Sequence, residues 1–189
     1  MSDELVKEFL ADAESRMAKS VDATRQELHT VRTGRASPHL LDRVDVDYYG
    51  ARTPLRQLAQ IAAPEARLLV VTPYDKNAIP AIEKALLESD LGLTPSNDGN
   101  VIRLQVPELT EERRRELVRV VHNIAEQGRV AVRNIRREVL GELRELKREG
   151  ELGEDDERRA ENELQRVTDR FVGQIDELLA AKEREILEV

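Results

Sequence analysis

"VRTGRASPHLLDRVDVDYYG", residues 31–50, is where one kind of chain ends and another begins. Upstream of it Leu5, Phe9, Ala13, Met17, Val21, Thr24, Leu28 and Val31 recur at three- and four-residue steps between charged residues. That spacing predicts an amphipathic helix over residues 2–30. Gly34 and Pro38 are its stop signal. Past them Val44 and Val46 alternate with Asp45 and Asp47, the period of a half-buried strand whose carboxylates share the solvent side. "RLLVVTP" (67–73) is a continuous apolar run and predicts a covered strand. "NAIPAIEKALLESDLG" predicts a helix of about three turns, with Gly92 near its end. The turn signal Asn97-Asp98-Gly99-Asn100 ahead of Val101, Ile102, Leu104 and Val106 predicts a hairpin. Residues 31–105 therefore read as a small β/α/β unit.

Helical spacing then resumes. Pro107 precedes it, Thr110 suits an N-cap, and Glu111 and Glu112 sit where the helix dipole favours anions. Leu117, Val121, Ile124, Gly128, Val132, Ile135, Val139, Leu143 and Leu146 form one apolar series, so residues 110–148 predict a long helix. "KREGELGEDDE" is a turn. A last helix over 154–187 carries Leu164, Val167, Phe171, Ile175, Leu178 and Ile186 on one stripe, and "EDDERR" (154–159) supplies acid at its start. A lone helix cannot bury such a stripe. The economical solution is an antiparallel bundle of 2–30, 110–148 and 154–187, with the β/α/β unit inserted after its first helix. An intermolecular coiled coil is the rival; the insertion and the short final turn favour the bundle.

Composition bounds the function. With 36% charged and 3% aromatic residues among 189, the chain suits long helices. The absence of cysteine excludes disulfides and thiolate chemistry. No run approaches a membrane span, and "MSDELVKEFLADAE" lacks the regions of a signal peptide, so a soluble cytoplasmic protein without a membrane partner is expected. The net charge of −8 conceals an asymmetry. Residues 106–148 hold eleven basic against eight acidic side chains, whereas 149–189 hold six against fourteen.

Within the basic helix "GRVAVRNIRRE" (128–138) concentrates Arg129, Arg133, Arg136 and Arg137. At about 100° per residue they share an arc of about 100°, next to the apolar arc of Gly128, Val132, Ile135 and Val139. Opposite charges three or four residues apart stabilise a helix by about 0.2–0.5 kcal/mol, and like charges cost as much. Arg129 can reach Glu126. Arg133, Arg136 and Arg137 have no acid at those spacings. Two readings stay open: a solvated face compensated by the acidic last helix, or a stripe whose guanidinium forks bind nucleic-acid phosphates.

Other chemistry finds little support. His29, His39 and His122 lack metal-ligand spacing, so no metal or cofactor is expected. "GRASP" lacks the Lys-Ser/Thr of a phosphate-binding loop, and no serine stands in a nucleophile elbow. Gly128, Gly141 and Gly173 lie inside expected helices at about 1 kcal/mol each relative to alanine, through close packing or mere tolerance. Rival functions are a helical adaptor whose basic stripe docks on an acidic protein, and an enzyme with a helical lid.

Seven stretches carry a family resemblance: "VRTGRASPHLLD" (31–42), "VDYYG" (46–50), "TPLRQLA" (53–59), "SDLGLTPSNDG" (89–99), "ELTEERR" (108–114), "RVAVRNIRR" (129–137) and "EDDERR" (154–159). In this order they make the chain resemble the bacterial ribosome recycling factor family over essentially its whole length. The resemblance implies an α+β, L-shaped, two-domain molecule. Residues 1–30 and 106–189 would form an RNA-binding three-helix bundle and 31–105 the inserted domain, with hinges near 31–38 and 104–108. It implies a monomeric, non-enzymatic translation factor that lies across the tRNA sites of the large ribosomal subunit. With elongation factor G and GTP, such a factor separates the subunits and frees mRNA and deacylated tRNA. Ribosomal RNA contacts would fall on Arg129, Arg133 and Arg136, with Arg137 alongside. Arg32 and Arg35 match the family's basic hinge motif; Gly34 would permit the turn there, and Val106 and Pro107 would form the second hinge.

Overall fold

The computed structural model describes residues 2–188. Met1 and Val189, the outer ends of the expected bundle segments, lie outside them. Contacts divide the chain into two units, one of residues 2–32 with 115–184 and the other of 33–114 with 185–188.

The first unit is made of α1 (Ser2–Thr30), α4 (Glu111–Arg148) from Arg115 onward, and α5 (Glu154–Leu187) up to Arg184. Its core is drawn from the stripes expected from spacing, of which Leu5, Phe9, Val31 and Leu146 are half-buried and Ile186 groups with the second unit. On α4 the nine buried residues include Leu117, Val121, Val132, Ile135, Val139 and Leu143. Each fully buried aliphatic side chain contributes about 1.5–3 kcal/mol, against about 0–1 for an exposed ion pair. The stripes therefore hold the helices together, and the charges refine their register. On α5, Leu179 is the buried residue where Leu178 was expected, and Leu178 is half-buried. The two differ by one step of about 100°, which spacing alone cannot settle.

Cross-helix pairs fix the directions. Arg16 meets Glu138, so α1 runs antiparallel to α4 given that Thr24 packs at Gly128. Arg129–Asp176 and Arg144–Glu161 set α4 antiparallel to α5. A Cβ on Gly128 would lie 2.3 Å from Thr24 Oγ1 and 3.2 Å from Ile175 Cδ1. Gly128 thus lets α1 and α5 approach α4 at one level. Gly141 and Gly173 have nothing within 4 Å of an added Cβ and are tolerated rather than required. The turn after α4 is a Schellman cap: Glu151 N–H donates to Leu146 O and Gly150 N–H to Lys147 O, with Gly150 at φ +77°.

The second unit holds two antiparallel sheets. β1 (Asp45–Tyr48) pairs with β2 (Ala51–Pro54). The short helix α2 (Leu55–Leu58) leads into a four-stranded sheet of β3 (Ala59–Glu65), β4 (Leu68–Pro73), β5 (Pro95–Asn97) and β6 (Ile102–Gln105), ordered β3-β4-β6-β5. Helix α3 (Ile79–Glu88) contributes Ile82 and Leu86 to a core with Leu55, Leu69, Val71, Ile102 and Leu104. The β5–β6 hairpin forms where its turn signal lies: Asp98 Oδ1 accepts from Asn100 N (2.9 Å) and Val101 N (3.0 Å).

Sequence expectation and structure differ at four places. β2 was not foreseen, because its turn is Tyr49-Gly50, both at positive φ, instead of the usual Asn-Gly. β3 contains Pro64 and a register shift; as the sheet's edge strand it tolerates both. β4 is fully covered only at Leu69, Val71 and Pro73, while Thr72 is exposed. α3 ends at Glu88, where Ser89 caps Leu86 O through its N–H and hydroxyl, four residues before Gly92.

The division between units also falls later than 105/106. Val106 N–H donates to Arg67 O (2.8 Å), Arg67 Nη1 lies 2.8 Å from Glu108, and Gly34 abuts Leu109. These contacts tie 106–109 to the second unit.

Candidate nucleic-acid interface

The apolar stripe of α4 is committed to the core, so its neighbouring arc faces outward along most of the helix. Arg129 lies near the core side of that arc, with 18% of its side chain exposed. Its Nε and Nη2 grip Asp176 Oδ1 at 2.8 and 2.7 Å, and its Nη1 donates to Glu126 Oε2 at 3.1 Å. Burial opposes its charge, but these two carboxylates outweigh that and hold Arg129 above the ordinary arginine range. Arg133 is exposed, and its Nη1 lies 3.6 Å from Glu126 Oε1, a full two turns away. Spacing of three or four residues missed this partner. Arg136 is half-buried and Arg137 exposed, and neither forms an ion pair among the described residues.

The acidic last helix therefore compensates the row unevenly. Arg129, Arg144 and Lys147 are each answered from α5, by Asp176, Glu161 and Glu157. In each pair the residue numbers add to 304 or 305, as antiparallel neighbours must. The same register sets Phe171 and Val172 opposite Arg133, and Thr168 and Asp169 opposite Arg136. Asp169 accepts from Gln165 at 2.8 Å. The middle of α4 thus keeps cations that its neighbour does not neutralise.

One further side chain belongs with this face. Arg119 is exposed, without an ion pair among the described residues, and stands eighteen residues before Arg137, which is five helical turns and so the same azimuth. That spacing was the available signal. Glu126 was within reach of Arg129 by its i,i+3 spacing, whereas Asp176 as a clamp was not visible from sequence, because it depends on the register of α5 against α4.

The remaining expected residues lie elsewhere. Arg32, exposed at the end of the first segment, has no ion pair among the described residues. Arg35 in the second unit lies 3.7 Å from Glu188. Gly34 has φ +74°, and an added Cβ would lie 2.9 Å from Leu109 Cδ2, so both conformation and space require glycine. Val106 is buried in the second unit's core and Pro107 is exposed.

A three-helix unit interrupted by a small antiparallel α+β unit, with a cationic helix face on the former, defines the class. The sequence pattern of the ribosome recycling factor family matches residues 24–187. The ribosome-recycling factor of Rubrobacter xylanophilus is 57% identical over 180 residues, covering 95% of this chain and 97% of its own. That of Bacillus subtilis is 54% identical over 183 residues, covering 97% and 99%. A solution structure of the ribosome recycling factor matches 97% of this chain and 98% of its own at 44% identity and a TM-score of 0.66. A T. thermophilus ribosome recycling factor, in a model with E. coli elongation factor G bound to the E. coli post-termination complex, matches 96% and 98% at 51% identity and a TM-score of 0.61. The chain belongs to the ribosome recycling factor family. It is a translation factor of ribosome recycling, and among its described residues no helix is long and apolar enough to cross a membrane.

Proposed function

We propose that this chain binds the post-termination ribosome through the outward face of α4 and, with elongation factor G and GTP, drives its separation into subunits. mRNA and deacylated tRNA are released for another round, and the factor itself catalyses no reaction. The observation that carries the RNA-binding part is the uncompensated cationic middle of α4. Among the described residues Arg136 and Arg137 have no carboxylate partner and Arg133 only a long contact to Glu126, so they bind phosphate with little internal pairing to break. Arg133, Arg136 and Arg137 are the principal contacts, and Arg129 borders them. The factor acts as a cytoplasmic monomer on RNA of the large subunit. Gly34 serves as a hinge between the RNA-binding unit and the inserted one, with Arg32 and Arg35 adding positive charge there, while Val106 and Pro107 stay with the inserted unit, whose core holds Val106.

Light scattering of post-termination ribosomes mixed with elongation factor G and GTP tests the recycling step. The protein should accelerate subunit separation, and an absence of stimulation would reject the assignment. Arg133→Glu with Arg136→Glu should abolish large-subunit binding while leaving helicity and melting nearly unchanged. Retained binding by the folded double variant would instead favour the adaptor reading.

A further inference from the structure

Between Arg115 and Lys147, Glu126 is the one acid inside the basic arc of α4. The arc runs through Arg115, Arg119, His122, Arg129, Arg133, Arg136, Arg137, Arg144 and Lys147. Its position is unusual in a second way. One carboxylate oxygen accepts from Arg129 Nη1 at 3.1 Å while the other lies 3.6 Å from Arg133 Nη1. The carboxylate thus spans two guanidinium groups one turn apart.

Its hold on the two is unequal. Arg129 is already fixed by Asp176 through Nε and Nη2, which leaves Nη1 aimed outward along the arc. Arg133 is half exposed and touches Glu126 only at the longer distance. Asp176 and the backbone of α4 therefore build a two-armed anion site, and Glu126 occupies it from a flexible, 55% exposed side chain. A phosphate offers the same fork of oxygens with more charge.

We propose that Glu126 fills the place of one RNA backbone phosphate between Arg129 and Arg133, and that RNA displaces it on binding. This rests on the reading of α4 as the RNA-facing helix. Glu126 then serves as a built-in competitor that weakens the interface, a useful property in a factor that must leave the ribosome after each round. Arg129 becomes an RNA contact only once Glu126 has moved, with Asp176 as the residue that positions it.

The test compares Glu126→Gln with Glu138→Gln in binding to purified large ribosomal subunits across a range of salt. Both changes remove one negative charge, but Glu138 pairs with Arg16 on the opposite side of α4. Glu126→Gln should tighten binding several-fold near physiological salt. It should also steepen the slope of log K against log salt by about one, the signature of one more phosphate neutralised. Glu138→Gln should do neither, and the gain should vanish when Arg133→Gln is added. Equal gains from both variants would reduce the effect to net charge and overturn the proposal. So would unchanged or weaker binding by folded Glu126→Gln while Arg133→Glu with Arg136→Glu still abolishes it; the RNA face would then stand without a competitor. Binding by the parent that ignores salt would overturn the underlying reading, and the proposal with it.

Discussion

Residues 133–137, "RNIRR", and 144–148, "RELKR", carry the same basic pattern eleven residues apart on one helix. Eleven residues are about three turns, so the two sets of cations point in nearly the same direction. Their fates differ. Arg144 and Lys147 are taken up by Glu161 and Glu157 of α5, and Arg148 by Glu145 of its own helix. Among the described residues Arg136 and Arg137 have no such partner, and Arg133 has only the long contact to Glu126. What distinguishes a binding face from a neutralised one is thus the neighbouring helix, which turns Val172 and an occupied Asp169 toward the first set and acids toward the second.

The largest expected effect comes from reversing matched charges in the two stretches. Arg133→Glu with Arg137→Glu should weaken large-subunit binding by roughly 100-fold near physiological salt and flatten its salt dependence by about one to two. Arg144→Glu with Arg148→Glu makes the same change in charge eleven residues on. It should cost binding little, while the loss of two exposed pairs lowers stability by about 1 kcal/mol or less. Filter binding and thermal melts of the two double variants measure both. Equal loss of binding would show that the comparison is one of total charge and not of pairing.

A second contrast concerns how the middle of α4 is held. Gly128 lies against Thr24 and Ile175, whereas Gly141, nearer the neutralised stretch, faces open space. Gly128→Ala should destabilise by about 1–3 kcal/mol, because Thr24 Oγ1 must move from a site it shares with a hydrogen bond to Ser20 O. Gly141→Ala should stabilise by about 0.5–1 kcal/mol through helix propensity alone. Denaturant midpoints at constant slope measure both, and destabilisation by the second would mean that the apparent open space is filled.

These contrasts mark what spacing could and could not reveal. The three long helices and their stripes were legible, because burying one face imposes a period on fifteen or more residues. The arginine row was legible for the same reason. Strands β2 and β3 were not, since a Tyr-Gly turn and an edge strand containing Pro64 carry no alternation to read. The division of the row into paired and unpaired members was out of reach as well. It depends on the α4–α5 register, where a shift of a single residue would have moved Asp176 away from Arg129. Gly128 and Gly141 looked alike in sequence because their difference belongs to other helices.

The smallest effect separates the two stretches by chemistry. Neutralisation at the far end relies on Lys147, whose hydrogen bond with Glu157 raises its pKa above the ordinary lysine value against the opposing effect of burial. A group raised on folding stabilises fully below its unfolded pKa and loses that contribution as pH rises through the folded one. The Lys147–Glu157 pair should therefore hold near neutrality and weaken only in strongly alkaline solution, above about 10.5. Arginine does not deprotonate in that range, so Arg129 keeps Asp176. Amide exchange should show the Leu146–Leu152 turn opening first as pH rises, after correction for intrinsic rates, with Val132 and Ile135 unaffected. Lys147→Met should remove that alkaline step while leaving the turn intact, because the Schellman bonds at Gly150 and Glu151 involve only backbone. If the turn opens equally in the variant, the pair contributes nothing there, and Arg144–Glu161 would have to account for the order of that end.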